Sequence, residues 1–235
     1  MTTIAVGNLK GGVGTTTLAV SLAAFLQDAG HDLVLVDRGA GAAASRWIRR
    51  RQDSGRGTIA TQTSSPAVTP GNDRASYTVV DAGATGESVL PLLTSVDIWL
   101  APTPPTFLEF TATLMLFSLW REARQGHCKA GLFATVITRV APNECDLERS
   151  ARKKLSCAGD EMLVLNQALT RHAAWDATYD GRAVHELPSH TSGKALVQFR
   201  AVVIELLASA LLKRVGASHE LTAQCELHES VGFYD

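Results

Sequence analysis

The feature that most narrows what this chain can fold into is a glycine-rich octad, Lys10, Gly11, Gly12, Val13, Gly14, Thr15, Thr16 and Thr17. It lies between a strand-like apolar run, Thr3 to Val6, and a stretch from Thr16 to Ala29 that carries Leu18, Leu22, Phe25 and Leu26 at helical spacing. Three glycines between strand and helix let successive backbone N–H groups turn inward, and the start of a helix adds partial positive charge. A polyphosphate suits such a bend. The Thr16 hydroxyl is then placed to reach a magnesium ion carried by that guest. The same residues also allow a plain turn that holds no ligand, or some other anion.

The rest of the chain continues the alternation of strand and helix that βαβ units require. Gly30 stands where a helix C′ residue belongs, and Leu33 to Val36 is an unbroken apolar run ending in Asp37, as in a parallel strand covered on both faces. Tyr77 to Val80 stops at Asp81, and Ile98 to Ala101 stops at the Pro102 to Pro105 turn. Leu132 to Ile137 and Met162 to Leu165 read as further strands, with a polar helix around Glu144 to Ser156 between them and a long closing helix at Ser192 to Arg214. Residues 52–76, rich in Ser, Thr, Gly and Pro, read as an irregular excursion without chemistry. No internal repeat is evident.

At 235 residues with 46% hydrophobic content the chain can fill a sizeable core, which excludes disorder as its main state. Lys and Arg number 22 against 23 for Asp and Glu, so any contact with nucleic acid or anionic lipid must come from a local patch. Such clusters occur at Arg46, Arg49, Arg50 and Arg51, at Arg149, Arg152, Lys153 and Lys154, and around Lys194, Arg200, Lys213 and Arg214. Solvated helix faces are the ordinary alternative. Cys128, Cys145, Cys157 and Cys225 form no CxxC, which argues against a disulfide framework or zinc ribbon and for buried thiols. His185 with His190, and His219, Cys225 and His228, lack metal-ligand spacing, and Ser45 and Ser64 lack triad partners. The run Val202 to Leu212 is read as too short for a membrane span, and no secretory leader is expected.

With these residues in place, the sequence resembles the ParA/MinD family of deviant Walker A ATPases, whose loop reads KGGxGK followed by Ser or Thr, and within it the small ParF-type partition proteins. The resemblance implies an α/β, single-domain, Rossmann-like P-loop NTPase fold with a mostly parallel twisted sheet flanked by helices. It spans residues 1–214, leaving 215–235 as an acidic tail with Glu220, Glu226, Glu229 and Asp235 and without a basic membrane anchor. It implies ATP or ADP and Mg2+ as cofactors, with Lys10 through Thr17 holding the nucleotide and Thr16 and Asp81 the metal. Lys10 matches the signature lysine that reaches the partner's phosphates across a nucleotide-bridged homodimer, and Asp37 the first aspartate of the family's DxD, so these two are the implied catalytic residues.

Two positions depart from the family pattern. Thr15 replaces the lysine of the loop, a charge-assisted contact worth about 1.5–3 kcal/mol. Gly39 replaces the aspartate that orients the attacking water, and a glycine cannot position water. Weak or absent hydrolysis is therefore expected. AGATG after Asp81, Thr138 with Arg139, and the segment Asp176 to Glu186 also look like the ParF-type pattern. The resemblance implies a cytoplasmic, nucleoid-associated protein that binds DNA nonspecifically and meets a ParB-like cargo adaptor. The alternative is a non-cycling regulatory or scaffold subunit, like the MinD-like protein of bacterial cellulose secretion, whose loop also reads GTTT.

Overall fold

The computed structural model describes residues 1–63, 76–84, 86–125 and 131–231, of which 217–231 only as backbone. Seven parallel strands form the main sheet: β1 (Thr2–Val6), β2 (Leu33–Asp37), β3 (Ala60–Thr63), β4 (Tyr77–Asp81), β5 (Ile98–Thr103), β6 (Leu132–Val140) and β7 (Met162–Val164). Their order is β3-β2-β4-β1-β5-β6-β7, and a short eighth strand, β8 (Leu169–Thr170), pairs with the end of β6. Every pairing is parallel, so the strands are joined by crossovers, most of which run through helices: α1 (Thr15–Asp28), α2 (Ala43–Asp53), α3 (Gly86–Val89), α4 (Phe107–Ala123) and α5 (Cys145–Ser156). After β8 come α6 (Ala173–Asp176) and the closing helix α7 (Ser189–Val231). This is the α/β architecture that the alternation predicts.

The helices bury the sheet on both faces. Ile4, Val6, Leu35 and Leu100 point to the layer of α1 and α7, where they meet Leu18, Leu22, Leu26, Phe199 and Leu206. Ala5, Val36, Val80 and Trp99 point to the other layer, against Leu92, Phe117 and Trp120. All five residues of β2 are buried, as a continuous apolar run in a parallel sheet should be. Helix α1 ends as expected: Gly30 has φ +87, and the Gly30 and His31 amides donate to the Gln27 and Leu26 carbonyls.

Several expectations need correction. The excursion over residues 52–76 contains β3, registered Ala60 to Val34 and Thr63 to Asp37 on the sheet edge; it shows no apolar pattern because its side chains are exposed or half-exposed on both faces. Residues 64–75, and Ser64 with them, lie outside the described residues, as do Thr85, Cys128 and the side chains of His219, Glu220, Cys225, Glu226, His228, Glu229 and Asp235. Cys145 and Cys157 are exposed thiols, since both sit at the ends of the polar helix α5, away from either core layer. The closing helix is longer than 192–214, and within Ser189–Gly216 an 18-residue window has a mean hydropathy of 1.9, long and apolar enough by length and composition to cross a membrane. In the fold one face of that stretch packs into the core through Phe199, Val202, Val203 and Leu206.

The first basic cluster is also not a free patch. Trp47, Ile48 and Arg51 of α2 turn inward, and Arg51, 3% exposed, pairs with Glu186 at 2.6 Å and donates to the Gly57 and Gly181 carbonyls. Arg50 donates to the Tyr179 carbonyl, and Arg152 to Glu148 and to the Leu165 and Asn166 carbonyls. Arg49, Lys153, Lys154, Lys194 and Arg200 remain exposed.

Candidate functional site

The site forms at the carboxyl ends of β1, β4 and β2, where the strand order reverses around β1 and loops diverge. The bend between β1 and α1 is anchored from below. Asn8, fully buried, donates to the Pro102 carbonyl and to Thr113 Oγ1 at 2.8 Å, while its own Oδ1 accepts from the Lys10 amide. Thr103 shares the Thr113 hydroxyl and reaches Thr135, so the loop's first residue is tied to three elements by a satisfied hydroxyl network. Gly7 has no room for a side chain, because a Cβ would stand 2.8 Å from the Ala82 methyl and 2.9 Å from the Trp99 ring.

Above this anchor the loop takes the shape its glycines permit. Gly12 and Gly14 have φ of +78 and +102, with open space where a Cβ would stand. Val13 is buried, Lys10, Gly11 and Gly12 are exposed, and the loop runs directly into α1 at Thr15. Helix α1 thus begins without a side-chain cap and without an acidic residue in its first turn, leaving its N-terminal amides facing the loop's concavity. The donors, glycine geometry and open space all fit a phosphate group.

Beneath the loop the structure brings together three of the expected residues. Thr16 Oγ1 donates to Asp81 Oδ2 at 2.7 Å, and Asp81 and Asp37 are cross-strand partners at the ends of β4 and β2. Asp81 is fully buried, and burial pushes its carboxyl above the ordinary value of 3.8; the Thr16 hydroxyl and the Gly83 amide pull it back, and the neighbouring Asp37 adds to the rise. A hydroxyl and a buried carboxylate so disposed are oxygen ligands suited to Mg2+, and a cation there would relieve the cost of the buried charge. The Asp37 carboxylate is engaged differently. Its Oδ2 accepts from the Ser45 amide at 2.8 Å and hydroxyl at 2.7 Å, and its Oδ1 from the Gly39 amide. These bonds hold the start of α2. Gly39 itself lies close to both carboxylates, since a Cβ there would be 3.4 Å from Asp37 Oδ1 and 4.0 Å from Asp81 Oδ2.

One residue of the site has a role that the sequence does not reveal. Arg139 adopts φ +59, rare for a side chain of its size, at a break in register between Thr138 and Val140 on β6. The bulge aims its guanidinium at the loop, where Nη1 donates to the Gly12 carbonyl at 2.8 Å; Thr138 Oγ1 reaches the Val13 carbonyl. Beside it opens a cavity of about 380 Å³, lined by Gly12, Thr17, Arg139, Arg171, Trp175 and Asp176. His185 is bound elsewhere, to Asp28 at 2.8 Å, and no cluster of three metal-ligating side chains occurs among the described residues.

Sheet order, bend and buried aspartate together give the chain a P-loop NTPase fold. A family model described as an AAA domain matches residues 1–72. Among curated proteins no sequence matches. Among solved structures, a variant of McdA from Cyanothece in complex with ATP superposes with a TM-score of 0.71 at 12% identity, over 88% of this chain and 96% of that one. A plasmid partition protein from Borrelia burgdorferi bound to AMPPNP gives 0.66 at 13% identity, over 88% and 99%. The cell division ATPase MinD of Pyrococcus furiosus gives 0.64 at 17% identity, over 87% and 99%. The chain thus has the fold of the ParA/MinD P-loop proteins, and its first 72 residues match the AAA-domain model.

Proposed function

We propose that this protein is an ATP-binding switch that forms a nucleotide-dependent homodimer and positions or partitions a cargo on nucleoid DNA, with weak or absent hydrolysis. The observation that carries this reading is the 2.7 Å contact of Thr16 with the buried Asp81 directly beneath an uncapped helix start. Residues Lys10 to Thr17 would hold the triphosphate, and Thr16 and Asp81 would hold Mg2+, which when bound supplies positive charge to the β- and γ-phosphates. Lys10 is exposed at the loop's rim, as a side chain that is to reach a second copy's nucleotide must be. That neighbours of the same fold were solved with ATP or AMPPNP, and one is a plasmid partition protein, supports both the ligand and the role.

Arg139 offers a cation on the loop in a chain whose Walker lysine is Thr15. Arg139→Ala is expected to weaken ATP binding about tenfold, as loss of one charge-assisted contact does. In a Thr15→Lys background the same change should cost less, because the two cations then serve the same phosphates; titration calorimetry on the four proteins checks this.

A second reading is favoured by one observation: with Gly39 in place of a carboxylate, the Asp37 oxygens are taken up by Ser45 and the Gly39 amide. That suits a scaffold subunit that uses ATP structurally and never cycles. Gel retention separates the two. A positioning switch retains DNA only with ATP, and retention falls steeply with salt because phosphate contacts carry it. DNA indifference with or without ATP would contradict the switch and favour the scaffold.

A further inference from the structure

Helix α7 carries two apolar faces, and the core covers one of them. On the opposite side Val197, Ala201, Ile204, Ala208, Leu211 and Val215 succeed one another at alternating steps of four and three residues. At about 100° per residue they fall within roughly 40° of a single line along the helix. Val197 is 68% exposed, Ile204 66% and Leu211 63%, and neighbouring Leu212 is 71% exposed. The buried residues Phe199, Val202, Val203, Leu206 and Ala210 lie on the far side; of the stripe, Ala208 and Leu211 border a shallow cavity with Thr2, Tyr77 and Ile98.

The five steps from Val197 to Val215 span 18 residues, a mean of 3.6, so the stripe is one straight face running along the helix. Alternation of small Ala201 and Ala208 with larger Val197, Ile204 and Leu211 lets two backbones approach while the large side chains fill the gaps. The charges at the rim are self-complementary. Arg200 flanks the stripe on one side and Glu205 on the other, five residues on, the separation at which flanking positions of two parallel, in-register helices meet. Leu207 and Leu212 repeat the relation with apolar groups. Glu205 is already fixed at the edge, accepting from the Asn166 amide and from Asn166 Nδ2 at 2.7 Å, so little side-chain freedom is lost on pairing.

We propose that this stripe is the seam of a parallel two-helix contact with α7 of a second copy of this chain. The contact is isologous, with Arg200 of each protomer facing Glu205 of its partner, and it does not require nucleotide. It goes beyond the ATP-dependent dimer proposed above and uses a different face.

The test is sedimentation of the full chain in nucleotide-free buffer at tens of micromolar. Wild type should run at twice the 25.0 kDa chain mass. Ile204→Glu and Leu211→Glu, at exposed positions, should run as monomers with the wild-type melting temperature and wild-type ATP affinity; unchanged ATP binding separates this result from any failure of the nucleotide reading. Polarity is read by cross-linking with Cys128, Cys145, Cys157 and Cys225 each replaced by Ser: Val197→Cys and Leu211→Cys should each form a disulfide with itself. A monomeric wild type, a dimer indifferent to Ile204→Glu, disulfides only when the two cysteine variants are mixed, or flotation with anionic vesicles that Ile204→Glu abolishes would each overturn the proposal.

Discussion

Replacing Thr15 with lysine is expected to tighten ATP binding about ten- to a few-hundred-fold, the value of one ammonium on the phosphates. The position allows it: Thr15 is the first residue of α1, and the loop before it has open space above Gly12 and Gly14. Affinity should rise without turnover. The water-orienting carboxylate is still missing, and a ground-state contact alone does not lower the barrier to hydrolysis. Turnover should appear when Gly39→Asp is added. The backbone at Gly39 does not lie in the left-handed region, and its Cβ would stand at ordinary contact distance from Asp37 and 4.0 Å from Asp81, beside the proposed metal. Phosphate release by wild type, both single variants and the double variant checks this; Thr15→Lys alone turning over as fast as the double variant would refute the two-loss account.

Arg51→Ala is expected to have the largest effect on stability. It removes the ion-pair partner of Glu186 and orphans the Gly57 and Gly181 carbonyls, so a loss of about 3 kcal/mol follows, at the lower end for a buried pair because Glu186 keeps 15% exposure. For a chain of this size that lowers Tm by roughly 6–12 °C. Removing Glu186 as well, in Arg51→Met with Glu186→Leu, should restore much of it. The pair also sets a pH dependence. Burial alone would raise the Glu186 carboxyl, but the hydrogen bond from Arg51, the Ala183 amide and the Arg51 charge outweigh it and hold the group below its ordinary 4.5. Its folded pKa thus lies below the unfolded one, so the stabilisation is complete above about 4.5 and is lost as pH falls through the folded value. An Arg51→Ala melt within about 2 °C of wild type, less than even 1 kcal/mol would produce, or a wild-type difference that persists undiminished at low pH, would contradict this.

Much of this was legible in the residues. The parallel sheet follows from apolar runs that end in polar loops, and the phosphate bend from three glycines between strand and helix. That Thr16 of α1 meets Asp81 at the end of β4 is what the family resemblance implies. What stayed hidden has physical causes. Helix α4 shows no clean period because Phe107, Leu108 and Met115 are exposed while Leu116, Phe117 and Trp120 are buried, so apolar residues surround it on all sides. Arg51 reads as one more solvated arginine in a basic run until a segment 135 residues away delivers Glu186. Asn8 and Arg139 gain their roles only from long-range geometry: one from Thr113 and Pro102, the other from a bulge that no local pattern announces.

The central claim is that backbone amides and a helix start still hold a triphosphate where the loop lysine is absent. Calorimetric titration of wild-type protein with MgATP tests it most directly. The account predicts a saturable heat with one ATP per chain and sub-millimolar affinity, which Thr16→Ala weakens in Mg2+ but not in EDTA. Absence of heat up to millimolar ATP would contradict it.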